Sequence, residues 1–313
     1  MTDPQRIVSL LSSATEILFA LGAKERVVGV GHECDHPAEV QGLPRLTSSA
    51  VDSQNKSAVI DQQVVDLAQS GSALYRVDRE QLIELAPDLI VTQSQCDVCA
   101  VRYQDVLDMV EQTPELTGTS VVALNPTSLD EVFEDIARVG ASIGNHRQAD
   151  EVVSSLKSRV ESVASRATQA SESKVPRVAC IEWIEPLMLA ANWMPELVRL
   201  AGGGNAIPGG GHSSYSQWQT VLDFDPEVLV VMPCGFDLER TLGEGAQLDS
   251  WEHWGSITAV QQGRVYAVDG NAYFNRSGPR LVDSLELLAH LIHPTRFPAS
   301  GLSAALRQAY RRL

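Results

Sequence analysis

The chain has 313 residues, 44% of them hydrophobic and 20% charged, with a formal net charge of −16. That stock suffices for two packed domains, and it excludes a nucleic-acid partner, because phosphate binding needs a basic face and the one Lys/Arg cluster is the short segment from Arg307 to Arg312. No apolar run approaches the length of a membrane span, so no membrane insertion is expected, and the basic tail reads as a solvated helix end.

Arg6 to Leu10 is expected as a strand, and Ser13-Ala-Thr-Glu16 has the spacing of a capping box that opens a helix ending at Gly22. Arg26 to Val30 gives a second strand. It runs into Gly31-His32-Glu33-Cys34-Asp35-His36-Pro37, which holds much of the reactive chemistry of the first half. Asp78-x-x-Gln81 caps a further helix that Pro87 ends, and Leu89 to Thr92 is a buried-type strand emptying into Gln93-Ser-Gln-Cys96-Asp-Val-Cys99. Ser120 to Leu124 closes the first sheet, and Ser128-x-x-Glu131 begins another helix.

Arg147 to Gln169 reads as one uninterrupted helix. Ala149, Val152, Val153, Leu156, Val160, Val163, Ala164 and Ala167 recur at three- and four-residue steps and line one face. At 1.5 Å per residue it runs roughly 35 Å, long enough for a rigid strut between two lobes; a crossover helix within a single sheet is the alternative.

Beyond it the strand and helix alternation restarts. Arg177 to Glu182 is a strand followed by Trp183, and Pro195 sits in the first turn of a helix that stops at Gly202. Gly202 to Gly204 and Gly209 to Gly211 flank a loop with His212, Ser213, Ser214 and Tyr215; these glycines match neither a dinucleotide fingerprint nor a phosphate loop. Val228 to Met232 is a strand ending at Pro233-Cys234-Gly235, Arg264 to Val268 is another ending at Asp269 and running on to Tyr273, Phe274 and Arg276, and Arg280 to Ile292 is a long helix.

The two halves repeat. Leu82-Ile-Glu-Leu-Ala-Pro87-Asp-Leu-Ile-Val91 lies over Val221-Leu-Asp-Phe-Asp-Pro226-Glu-Val-Leu-Val230, with Pro226 against Pro87 at an offset of 139 residues. Two similar α/β units favour the strut, with an N-terminal lobe over 1–145, a connecting helix over 146–171 and a C-terminal lobe over 172–313. In open α/β sheets ligands sit beyond the carboxyl ends of the strands, which here carry Cys34, Gln93, Cys96, Cys99, Trp183, Cys234, Tyr273 and Arg276. Two facing lobes would enclose a cleft of thiols, aromatics and a guanidinium, suited to a large flat ligand. Cys34, Cys96, Cys99 and Cys234, with His32, His36 or His212, could also supply a soft zinc, iron or cobalt site; equally they could be small buried residues, as Cys180 inside a strand is expected to be.

With these residues in view the chain resembles the iron-chelate and cobalamin substrate-binding proteins of ABC importers, particularly the cobalamin-binding branch. The likeness runs over residues 6 to 295 and is carried by Arg6-Ile-Val-Ser-Leu with Ala14-Thr-Glu-Ile, Val28-Gly-Val with Asp35-His-Pro, Leu85-Ala-Pro-Asp-Leu-Ile90, and Arg276-Ser-Gly-Pro-Arg280. It implies two lobes on one rigid helix and a corrinoid or metal chelate held in the cleft. By the same resemblance Tyr273, Phe274, Arg276 and Trp183 contact the ligand from the second lobe, and His32, Glu33 and Asp35 form a contacting loop on the first. Gln93 stands where the family has an aromatic wall, and Tyr215 joins the ligand-binding set.

Members dock on their permease through one surface glutamate per lobe, seven residues before the proline that opens the strand. Glu80 fits the first position and Gln219 occupies the second. That departure, the lack of a basic and then hydrophobic stretch over Met1 to Ser9, and five cysteines without disulfide density lead to the expectation of a monomeric, cytoplasmic corrinoid-holding protein with no permease, or a periplasmic one if the sequence is a processed form. Glu33, Asp35 and Glu182 could act as acid or base but read first as solvated carboxylates. Binding is therefore the first reading, and a metal- or thiol-dependent enzyme built on the Cys and His residues is the second.

Overall fold

The computed structural model describes residues 3–94, 100–170, 175–207 and 211–313. The chain forms two compact units. The first comprises Met1–Asn55, Gln62–Pro126 and Asp130–Ser155, and the second comprises Lys56–Asp61, Thr127–Leu129 and Leu156–Leu313.

In the first unit β1 (Ile7–Ser9) leads into helix α1 (Ser12–Ala20) and then β2 (Val27–Val30). Residues Thr47–Ser49 (β3) and Tyr75–Val77 (β4) make a small antiparallel ribbon around α2 (Ser57–Ser70). Helix α3 (Arg79–Leu85), β5 (Leu89–Gln93), α4 (Tyr103–Glu111), β6 (Ser120–Leu124) and α5 (Leu129–Ser142) follow. The main sheet has the order β2-β1-β5-β6 with every pair parallel. All five residues of β5 are buried, as expected of a strand covered on both faces. Val8, Leu10, Leu46, Leu82, Ile90, Val101, Val106 and Leu116 form its core.

The long helix α6 (His146–Ala170) is present, and the division between units falls inside it, after Ser155. Ala149, Leu156, Val163 and Ala167 are buried along it, at the spacing the sequence predicts. In the second unit Arg159 of α6 reaches Asp283 at 2.5 Å and Glu286 at 2.9 Å.

The second unit holds β7 (Arg177–Trp183), β8 (Met188–Leu189), α7 (Met194–Leu200), β9 (Gly204–Asn205), β10 (Ser214–Tyr215), α8 (Trp218–Phe224), β11 (Val228–Val231), α9 (Leu238–Gly245), α10 (Thr258–Gln261), β12 (Val265–Val268), α11 (Leu281–Ile292) and β13 (Tyr310–Arg312). Its sheet has the order β10-β8-β7-β11-β12-β13, with β9 also on β7. The three central strands are parallel and packed on Ala179, Ile181, Leu229, Val231 and Val265.

Two local expectations change. Ser13 does not cap: α1 begins at Ser12 with Leu11 in the capping position, and Ser13 is buried within the first turn. The basic tail is a helix end only at its start: Arg307 lies in the last turn of the short helix Ala304–Gln308, and Tyr310–Arg312 then pairs antiparallel with β12. The Tyr310 hydroxyl lies 2.8 Å from His290 Nε2, and Leu313 N–H donates to the Val265 carbonyl, so the tail gains sheet and side-chain partners that a solvated helix would lack.

Candidate functional site

The carboxyl ends of the strands are where each unit gathers its reactive side chains. In the first unit Leu10, Ser12, His32, Glu33, Cys34, Thr47 and Tyr75 belong to one pocket beyond β1 and β2. Gly31 opens the loop close to the Leu10 carbonyl, where an added Cβ would stand 3.2 Å away. His32 is held twice by Thr47: its backbone N–H donates to Thr47 Oγ1 at 2.8 Å, and its ring Nδ1 lies 2.7 Å from the same oxygen. Tyr75 packs on the ring with centroids 5.8 Å apart. Burial, followed by the Arg45 charge, lowers the His32 pKa, which keeps the imidazole neutral. Arg45 bonds the Gly31 and Cys34 carbonyls and so fixes the loop.

The expected residues of this loop separate. Glu33 and Asp35 are exposed, with the Glu33 carboxylate 3.9 Å from His32 Nε2. Cys34 is buried with its sulfur 3.1 Å from Thr15 Oγ1. Gln93 is buried at the end of β5. Thr47 and Tyr75 were not among the expected residues; they come from the β3 and β4 ribbon, far along the chain, and no local pattern marks them.

In the second unit Trp183 ends β7 and stands edge-on to Phe236, with centroids 5.4 Å apart. The Arg240 guanidinium lies 3.7 Å above the Phe236 ring. The buried indole Nε1 of Trp183 has no hydrogen-bond partner among the described residues. Beyond β12, Asp269 accepts from the Ala272 N–H at 2.7 Å and shapes the turn Gly270–Phe274. Gly270 is required there: an added Cβ would meet the Pro233 carbonyl oxygen at 2.5 Å. Arg276 donates to Asn271 Oδ1 at 3.0 Å, and Arg280 lies 5.4 Å from the Tyr273 ring. Burial, only partly offset by the Ala272 N–H, raises the Asp269 pKa. Glu182, next to Trp183, accepts from the Ser213 hydroxyl at 2.6 Å; burial raises its pKa and, before the Glu182 charge, pushes the neighbouring Cys180 thiol up to about 12.

Tyr273 and Arg276 are largely buried in this wall, whereas Phe274 corrects its expectation: its ring has no exposed surface and belongs to the core, its carbonyl accepting from Trp193 Nε1 at 2.9 Å. Tyr215 is exposed and donates to Asp61 at 2.8 Å. His212 and Cys234 are exposed. Arg240 and Arg280 complete the wall, Phe236 being buried beneath the Arg240 guanidinium, and the basic letters just past two strand ends were the signal for them.

Among the described residues no three His, Cys, Asp or Glu side chains come together as a metal site. The expected zinc or iron ligands Cys34, Cys234 and His212 do not form such a group, and Cys96 and Cys99 lie outside the described residues.

The profile described as "Periplasmic binding protein" matches residues 7–272. An uncharacterized ABC transporter substrate-binding lipoprotein, YvrC, of Bacillus subtilis is 26% identical over 305 residues, covering 94% of this chain and 82% of the relative. A cobalamin-binding protein of Halobacterium salinarum is 25% identical over 298 residues, covering 94% and 71%. Among solved structures, a periplasmic heme binding protein from Pseudomonas aeruginosa superposes with a TM-score of 0.70 at 20% identity, covering 93% of this chain and 94% of that one.

These findings overturn the cytoplasmic expectation, since the family and the relatives are periplasmic or lipoprotein components that face outward. Cysteine count could not decide the point: two of the thiols, Cys34 and Cys180, are buried and inert in either compartment. The argument against a permease fares no better beside a relative named as an ABC transporter component. The family consists of substrate-binding proteins and not enzymes, the two α/β units are the two lobes of its fold, and the chain belongs to the periplasmic binding protein family.

Proposed function

We propose that the protein binds a corrinoid of the cobalamin type and delivers it to an ABC permease on the outer side of the membrane. The observation that carries the reading is the wall of the second unit. Trp183 presents a buried N–H with no acceptor among the described residues, an arrangement that costs about 1–3 kcal/mol if nothing fills it. A corrin ring is broad, flat and fringed with amide carbonyls. Its face suits the Trp183 ring, and its carbonyls offer an acceptor to Trp183 Nε1, with Arg276 beside them in the same wall. The relatives named for cobalamin support the same ligand class.

On the first unit His32, Glu33, Asp35 and Gln93 are the candidate contacts, and on the second Trp183, Tyr215, Tyr273 and Arg276. Glu80, exposed in the first turn of α3, is the candidate docking residue for the permease, with Gln219 at the matching turn of α8.

Titration with cyanocobalamin and, separately, with hemin tests the proposal. Cyanocobalamin is expected to bind with a raised melting temperature, by about RT ln(1 + [L]/Kd) in stability. Saturable hemin binding with no response to cyanocobalamin would reassign the ligand to a heme.

A further inference from the structure

One stretch of the second unit is held in place by hydrogen bonds more than by core. Lys56–Asp61 belongs to that unit and carries the first residues of α2, a helix whose one buried residue is Ser57 and whose Val59 is 44% exposed. We propose that this stretch is a strap at the rim of the Trp183 wall, latched through Ser57 and Asp61, and that it must unlatch before a ligand enters or leaves. The inference rests on the reading of that wall as the ligand site and adds a gate to it.

The latch has two parts. Glu244 Oε1 accepts from the Ser57 N–H at 2.7 Å and from the Ser57 hydroxyl, whose oxygen in turn accepts from the Glu185 N–H at 3.1 Å. The first N–H groups of a helix have no partner inside it. The Glu244 carboxylate therefore caps α2 from a distant segment, at the end where the helix dipole favours negative charge. One turn further along, the Tyr215 hydroxyl donates to Asp61 Oδ1 at 2.8 Å.

All three anchors adjoin the wall. Glu244 follows Arg240 by one turn of α9, which puts the two on one face of that helix. Glu185 stands two residues past Trp183. Tyr215 pairs with Met188 and Met188 pairs with Trp183, so Tyr215 shares the cross-strand row that ends at the indole. A helix start fastened by polar bonds, with little apolar surface buried, can come away without opening the core. The latch bonds are the same with and without a ligand, so unlatching sets both rates of exchange and leaves the equilibrium alone.

The full chain is followed by hydrogen exchange over α2 and by stopped-flow mixing with cyanocobalamin. In Glu244→Ala the α2 amides are expected to exchange about tenfold faster, as for loss of a hydrogen bond to a charged group. The association and dissociation rates should both rise about tenfold, with Kd held within about twofold. Glu244→Gln keeps an acceptor oxygen and should restore most of the parent behaviour. Asp61→Ala opens the latch at a partly exposed residue, leaves the Glu244 end untouched, and should raise both rates about threefold. Val59→Ala, on the same turn, should raise neither. Faster α2 exchange with unchanged ligand rates overturns the gate, and so does a weaker Kd carried by dissociation alone, which would make the strap an ordinary ligand contact. Unchanged α2 exchange in both Glu244→Ala and Asp61→Ala overturns the latch. Failure of the parent chain to bind cyanocobalamin removes the wall reading and the gate with it, while the exchange measurement still reports the latch.

Discussion

The two units are built on the same foundation and finished differently. At the start of each sheet an arginine ties the first strand to the helix before the central strand: Arg6 Nε donates to the Leu85 carbonyl at 2.6 Å, and Arg177 Nε donates to the Phe224 carbonyl at 2.9 Å. One residue further, Ala86 and Asp225 both adopt the left-handed conformation, with φ of 41° and 46°, and each is followed by proline. Two residues beyond, Asp88 accepts from Arg6 N–H at 2.9 Å and Glu227 accepts from Arg177 N–H at 3.1 Å. Among the described residues the opposite ends share nothing comparable: one unit has a small polar pocket around His32, the other a wall of Trp183, Tyr273 and three arginines. What repeats is what any α/β unit needs to stand, and what diverges is the set of residues proposed to meet a ligand.

The rims are the first place to break that comparison. Gly270→Ala puts a Cβ 2.5 Å from the Pro233 carbonyl oxygen and 2.7 Å from that of Met232, both of them backbone that cannot swing away. A loss of about 3 kcal/mol is expected in denaturant unfolding. Gly31→Ala in the other rim meets its nearest atoms at 3.2 and 3.3 Å and should cost about 1 kcal/mol. Equal costs would mean that the two turns are equally tight.

Buried carboxyls differ as well. Glu182 in the second unit is bonded by Ser213, whereas Asp135 in α5 leaves its Oδ2 without a partner among the described residues despite Arg138 at 2.7 Å. Burial pushes the Asp135 carboxyl up to about 6, above its ordinary 3.8. The folded state then holds the proton more tightly than the unfolded chain, so this stabilisation is complete below pH 3.8 and is lost as pH rises through about 6. Asp135→Asn should make the protein up to about 2 kcal/mol more stable at pH 7.5, with the gap closing near pH 4. A pH-independent difference between the two proteins would remove Asp135 as its source.

The foundation itself should be unequal in strength. Arg177 also reaches the Asp225 carbonyl at 2.7 Å and the Asp225 carboxylate at 2.9 Å, and the second is a bond that Ala86 has no side chain to offer Arg6. Arg177→Ala is expected to cost about 1.5 kcal/mol and Arg6→Ala about 0.5–1 kcal/mol, since both arginines are partly or wholly exposed. Matching losses would show that the carboxylate adds nothing.

This division also explains what could be read in advance. The repeat of Leu82–Val91 over Val221–Val230 is local and dense in apolar residues, so strands, helices and the length of α6 follow from periodicity alone. Helix α2 escapes such reading: Ser57 is its one buried residue, Val59 is 44% exposed, and no core-facing stripe announces it. β13 escapes for another reason, because pairing with β12 is a long-range event that Ala-Tyr-Arg-Arg does not encode locally. In the site, His32 and Trp183 stand at strand ends and are visible. Thr47, which fixes the His32 ring, and Ser213, which bonds Glu182, reach their partners from distant segments and are legible only in three dimensions.

The smallest structural change should have the most specific consequence. Trp183→Phe keeps an aromatic ring beside Phe236 and deletes only the indole portion that carries the unpartnered N–H. Removing a buried donor that has no acceptor among the described residues relieves a desolvation cost and forfeits some packing, so the two effects oppose and stability should stay within about 0.5 kcal/mol. Ligand binding has no such compensation. If the N–H donates to an amide carbonyl of the ligand, its loss should weaken cyanocobalamin binding by about tenfold, close to the worth of one buried hydrogen bond. A variant that binds as tightly as the parent chain would mean that the ligand leaves this donor unfilled, and that the wall of the second unit recognises shape alone.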